Sequence, residues 1–167
     1  MAEKVTGHAW RFGDNVDTDQ IIPSRYCNTF RPEALAQHAL EGADPDFARK
    51  VAPGDIIVAG HNFGCGSSRE AAPLALRAAG VGAVIAHSFA RLFFRNAVNI
   101  GLLVLVSPAA SKMVKTGEHL EIDPATGVIR SRTSGTAFRS EPFPEYIQEV
   151  INTGGMINYV KHRLQTE

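Results

Sequence analysis

Thiols are scarce in this chain: among its 167 residues only Cys27 and Cys65 carry one. Iron–sulfur clusters usually take three or four thiolates, so two cysteines cannot hold one alone. A bridge between them stays open on spacing, but two thiols in a leaderless chain are expected to be reduced. An excess of either charge is also missing. Lys and Arg total 17, Asp and Glu total 17, and the formal net charge is zero. There is no basic field to attract nucleic acid or an anionic membrane, so neither is expected as a partner. Long apolar runs are absent as well. No stretch approaches the roughly 18 residues that span a bilayer, and MAEKVTGHAW lacks the continuous apolar core of a signal peptide. A cytoplasmic protein is expected. Internal repeats, low-complexity tracts and long linkers are also lacking.

What the chain does have is apolar material, 44% of its residues. That is enough for a core without a disulfide staple, and the expected organisation is one domain over residues 1–167. HAWRFGDNVDTDQIIPS reads as a strand, an acidic loop with a turn at Gly13 to Asn15, and a second short strand at Ile21-Ile22 halted by Pro23. Pro32 opens a short helix that ends by Gly42. After a Pro-Gly turn, Ile56-Ile57-Val58 is a buried strand; VGAVIAHS and LLVLVS are two more. Between them, SSREAAPLALRAAG reads as a helix beginning at Ser67 or Ser68, and FARLFFRNAVNIG as a helix turning Leu92, Phe93 and Val98 to the core. Strand and helix thus alternate from Ile56 to Val106, the pattern of an α/β fold with a mostly parallel central sheet flanked by helices. Beyond Pro108 the alternating segments around Pro124 to Gly127 and Gly135 predict an antiparallel β appendage, followed by a terminal helix broken at Gly154-Gly155.

The chemistry concentrates in GHNFGCGSSREAAP, Gly60 to Pro73. A serine before a helix can cap its free N–H groups, and the helix dipole favours negative charge there. Arg69 adds a planar fork suited to a carboxylate or phosphate, and Gly64 and Gly66 allow close backbone approach. Together they point to a small anionic ligand. The stretch lacks the third glycine of a dinucleotide turn, the GxxxxGK phosphate loop and the GxSxG frame of a serine hydrolase. Cys65 reads either as a thiol activated near a helix N-terminus or as a small packed residue between two glycines, and Ser67 and Ser68 read either as a capping pair or as functional groups.

Three ordered segments, GDNVDTDQIIPSRY, FGCGSSRE and SFARLFFRNAVNIG, resemble the small subunits of 3-isopropylmalate dehydratases and their homoaconitase relatives. The resemblance runs from Gly13 to the terminal helix and implies the swivel-type domain of the aconitase superfamily. It implies a separate large subunit, in a heterodimer or heterotetramer, that carries a 4Fe-4S cluster whose open iron acts as Lewis acid. This chain itself would bind no cofactor and no metal. The implied substrate is a small hydroxy-dicarboxylate, dehydrated and rehydrated at the neighbouring carbon in leucine biosynthesis.

By that resemblance Ser67 is the base that takes the carbon-bound proton, Arg69 and Ser68 contact the substrate carboxylate and developing oxyanion, and Asp19 supports proton transfer on the hydroxyl side. The loop of Arg25, Tyr26, Cys27, Asn28 and Thr29 would choose the substrate. Homoaconitase-like members resemble Tyr-Leu-Arg-Thr there. Asn28 in place of that arginine favours an uncharged substituent such as isopropyl or methyl, while Arg25 keeps a tricarboxylate reading open. Cys27 replaces a more usual leucine, which reshapes the pocket and makes a homoaconitate or dimethylmalate hydro-lyase the alternative. Ala71 stands where the family has histidine; a stand-alone anion-binding domain without the chemistry is the alternative of another class. Asp14, Asn15 and Asp17 are assigned to building their loop. His38, His61 and His87 match no metal-ligand spacing, and solvated or packing roles are expected of them.

Overall fold

A computed structural model of the chain describes residues 3–166. Residues 1, 2 and 167, the ends of the expected single domain, lie outside the described residues. The chain order is β1 (Val5–Arg11), α1 (Thr18–Ile21), a 3-10 turn (Ser24–Tyr26), α2 (Pro32–Ala36), α3 (Phe47–Lys50), β2 (Ile56–Ala59), α4 (Ala71–Ala78), β3 (Ala83–Ala86), α5 (Arg91–Asn99), β4 (Leu103–Val106), α6 (Pro108–Met113), β5 (His119–Asp123), β6 (Val128–Ser131), β7 (Ala137–Arg139), α7 (Glu145–Asn152) and α8 (Met156–Thr166).

One seven-stranded sheet runs β4-β3-β2-β1-β5-β6-β7. β1 pairs in parallel with β2, which continues in parallel to β3 and β4. On its other edge β1 pairs antiparallel with β5, and β5 to β7 form a meander. The expected antiparallel appendage is therefore the second half of the same sheet, joined through β1.

β2 and β3 are buried at every position, as apolar runs covered on both faces must be. Their alternating side chains feed two cores. Ile57, Ala59, Val84 and Ala86 pack with α4, α5 and the α1–α3 region. Ile56, Val58, Ala83 and Ile85 pack with α6 and the meander through Ala110, Leu120, Ile122 and Phe138. Buried Asp55 anchors the start of β2: it accepts from the N–H groups of His8 (3.1 Å) and Ala52 (2.9 Å) and from the Trp10 indole (2.9 Å).

Three expectations give way. Ile21-Ile22 is not a second strand: Thr18 to Ile21 form a helical turn, fixed by a capping box in which the Asp17 side chain accepts from Gln20 N and the Gln20 side chain accepts from Asp17 N. The proposed specificity loop thus follows a helical turn. α4 begins at Ala71, not at Ser67 or Ser68, and neither serine caps it. Leu92 does not face the core but is 50% exposed, while Phe93 and Val98 are buried as expected. The break after α7 does fall at Gly154-Gly155.

Candidate active site

The Gly60–Glu70 loop leaves the C-terminal end of β2 and is held on both sides, as though the parallel pairing continued past the strands. On one side it bonds to the loop after β1: Asn15 N donates to His61 O (2.8 Å), Gly64 N to Val16 O (2.7 Å) and Thr18 N to Cys65 O (2.8 Å). On the other it bonds to the loop after β3, with Phe63 N donating to Ser88 O (3.1 Å) and Ala90 N to Phe63 O (2.9 Å). The sharp turn needs Gly64, whose φ is +84° and whose missing Cβ would lie 2.2 Å from the Phe93 ring. The Thr18 hydroxyl then donates to Ser67 O at 2.8 Å, which fixes the serine backbone outside the helix.

Ser67, Ser68 and Arg69 line a cavity of about 290 Å³ that Arg91, Leu92 and Phe93 at the start of α5 line as well. Both serines are exposed. Arg69 is mostly covered and donates through Nη1 to Asp19 Oδ1 at 3.0 Å and to Ile22 O at 3.2 Å. Asp19 also accepts from Ser24 N at 3.2 Å. The hydrogen bond from Arg69, then the one from Ser24, holds the Asp19 carboxyl below its ordinary range. Three of the residues assigned to catalysis or substrate binding therefore meet in one concavity, with Asp19 joined to them through Arg69.

None of the residues from Arg25 to Thr29 lines that cavity, although Ser24 just before them bonds to Asp19. Arg25 pairs with Glu41 at 3.1 Å and lies over the Tyr26 ring at 4.6 Å. Tyr26 stacks on His38 with centroids 3.6 Å apart. The Cys27 thiol is directed back at Pro23 O, 3.6 Å away. Asn28 is exposed, and the Thr29 hydroxyl accepts from Arg31 N at 3.1 Å.

Sequence reasoning did not assign Arg91 or the other α5 residues to the site. They lie in SFARLFF, and only the parallel order β2–β3 brings that segment beside the serine turn. His61 and His87 also meet, with rings 3.8 Å apart, and His61 N and Nδ1 lie 2.7 Å and 3.2 Å from Asp14 Oδ1. Asp14 thus ties the loop after β1 to the loop after β2, a cross-loop version of the building role assigned to it.

Both cysteines are free. Among the described residues no three His, Cys, Asp or Glu side chains gather where they could hold a metal ion. Two separate thiols do not fit the donor set of an iron–sulfur cluster. No helix among the described residues is long and apolar enough to cross a membrane.

Residues 41–110 match the family model of the aconitase C-terminal domain. The 3-isopropylmalate dehydratase small subunit of Caldanaerobacter subterraneus subsp. tengcongensis is 52% identical over 159 residues, covering 95% of this chain and 99% of its own. The 2,3-dimethylmalate dehydratase small subunit of Eubacterium barkeri is 52% identical over 157 residues, covering 94% and 96%. Among solved structures, a 3-isopropylmalate dehydratase from Methanocaldococcus jannaschii superimposes with a TM-score of 0.92 at 43% identity, over 98% of this chain and 97% of that one.

Proposed function

The chain belongs to the family of 3-isopropylmalate dehydratase small subunits, and on that basis we propose that it pairs with a large subunit to form a hydro-lyase interconverting 2-isopropylmalate and 3-isopropylmalate. The observation that carries the proposal is the shared cavity of Ser67, Ser68 and Arg69, with Arg69 already oriented by Asp19. The 4Fe-4S cluster belongs to the large subunit in this reading, since the donors for it are not here.

In the dehydration direction a carbon-bound proton passes to Ser67 Oγ, the C–O bond breaks as the hydroxyl takes a proton from an acid of the large subunit and leaves as water, and the electron pair of the broken C–H bond forms the carbon–carbon double bond. Water then adds back with the opposite placement of proton and hydroxyl. A free serine is a very weak base, so Ser67 acts as its alkoxide. The cationic fork of Arg69 in the same cavity favours that form over the neutral hydroxyl. Arg69 also offers a donor to a substrate carboxylate, Ser68 offers a hydroxyl to the developing oxyanion, and Asp19 sits on the hydroxyl side.

The test is reconstitution with a cluster-loaded large subunit under anaerobic conditions, following the alkene formed from 3-isopropylmalate. Turnover by wild type and its loss in Ser67→Ala is the expected result. A cluster-intact pair with no turnover on isopropylmalate overturns the substrate assignment. Turnover of 2,3-dimethylmalate in its place would establish the second reading, which the 52% identity to the Eubacterium barkeri subunit favours.

A further inference from the structure

A hydroxy-dicarboxylate brings two carboxylates into the site, and charge matching calls for two cations. In the free subunit no residue of the loop that resemblance assigns to substrate choice lines the cavity. Arg25 pairs with Glu41 and lies over the Tyr26 ring. Arg69 is one cation, paired in the free subunit with the exposed Asp19. The other cation in the cavity wall is Arg91.

Arg91 differs from Arg69 in one respect that matters. Among the described residues the ion pairs do not include it, and no hydrogen bond holds its guanidinium. It is exposed, and it faces the same concavity as Ser67 and Ser68. Its planar fork matches a carboxylate in two-point geometry. Arg91, at the start of α5, and Arg69, in the loop before α4, line one cavity with Ser67, so a diacid held there meets both guanidiniums and the serine.

We propose that Arg91 is the second carboxylate anchor of this cavity, holding the substrate carboxylate that Arg69 does not hold. The inference rests on the dicarboxylate reading above. It assigns Arg91 to binding, with no proton moved. The neighbouring Leu92 then faces the alkyl substituent, which accounts for a half-exposed leucine on a helix otherwise buried through Phe93, Ala97 and Val98.

The test compares wild type, Arg91→Ala, Arg91→Gln and Arg91→Lys in the reconstituted pair with 3-isopropylmalate. Sedimentation velocity measures assembly in parallel, and thermal unfolding checks the fold. Removing the guanidinium is expected to raise KM by about 10- to 100-fold, the size of a charge-assisted hydrogen bond, with a smaller change in kcat. Lys is expected to recover part of the loss and Gln none. A KM within twofold of wild type in Arg91→Ala, at full assembly, overturns the proposal. So does a loss that excess large subunit fully restores, because Arg91 would then serve docking. A wild-type pair inactive on both 3-isopropylmalate and 2,3-dimethylmalate overturns the dicarboxylate reading itself, a separate outcome seen before any variant is made.

Discussion

Arg69 Nη1 meets Asp19 Oδ1 at 3.0 Å across 50 residues of sequence, joining the loop after β2 to the helical turn after β1. The pair is asymmetric. Arg69 is largely covered, whereas the Asp19 side chain is 64% exposed. Exposed pairs of this kind add little stability, so the arrangement bears chiefly on where the guanidinium points. Asp19→Asn is therefore expected to leave the urea midpoint of the isolated chain nearly unchanged. Turnover in the reconstituted pair should fall by about tenfold or more, since a charged contact to Arg69 is lost. An Asn variant with wild-type kcat and KM removes Asp19 from the site.

Gly64→Ala probes the turn itself. The residue sits at φ +84°, and an added Cβ would lie 2.2 Å from Phe93, a cavity-wall residue. Strain at positive φ together with overpacking predicts a loss of about 2–4 kcal/mol. Urea unfolding gives the magnitude. Activity should fall as well, because the Phe93 wall must move to make room.

The parallel half of the fold was legible because its strands are continuous apolar runs, Ile56-Ile57-Val58 being the clearest. The misread turns have physical reasons. Ile21-Ile22 before Pro23 imitates a strand end, yet the Asp17 and Gln20 spacing of a capping box lay one turn upstream. Ser67 and Ser68 imitate helix caps, but Thr18 takes the Ser67 carbonyl and Arg69 is drawn to Asp19, so α4 starts only at Ala71. α6 went unread although Ser107 before Pro108 is a cap-and-N1 signature, and the Ser107 side chain does accept from Ala110 N. Ser67 and Arg69 could be found in one motif. Arg91 could not, because its place depends on strand register.

Acid should loosen the loop junction at Asp14. The His61 backbone N–H, and then the His61 ring, hold this carboxyl below its ordinary value of 3.8. A depressed folded value means the stabilisation is present above pH 3.8 and is lost as pH falls through that lower value. Asp14→Asn should lower stability near neutrality and flatten the acid slope, the two proteins converging in strong acid. Urea midpoints taken between about pH 6 and about pH 2 test this, and parallel curves would remove Asp14 from the acid response.

Asp55 should matter for stability and not for chemistry. It is 5% exposed and accepts three hydrogen bonds, two from β1 and one from Ala52 in the turn before β2. Asp55→Ala leaves the Trp10 indole and two backbone N–H groups without their partner, a cost on the order of 3 kcal/mol. Denaturant unfolding reads it directly. KM for isopropylmalate in the folded fraction should not move.

The place proposed for the alkyl group of the substrate is tested at Leu92. Two segments compete for it: the α5 start, which lines the cavity, and the Tyr26–Thr29 loop, which does not. An isopropyl group exceeds a methyl group by two carbons, and each buried CH2 is worth about 0.8 kcal/mol. A Leu92 contact can therefore contribute roughly tenfold to the preference for isopropylmalate over methyl-substituted malate. Leu92→Ala should lower that ratio of kcat/KM values by about 3- to 10-fold, with the urea midpoint little changed because the side chain is half exposed in the free chain. Cys27→Leu serves as the opposing variant. If it alone shifts the ratio, the alkyl group lies against the loop, and that loop must then move on assembly to reach a cavity it does not line in the free subunit.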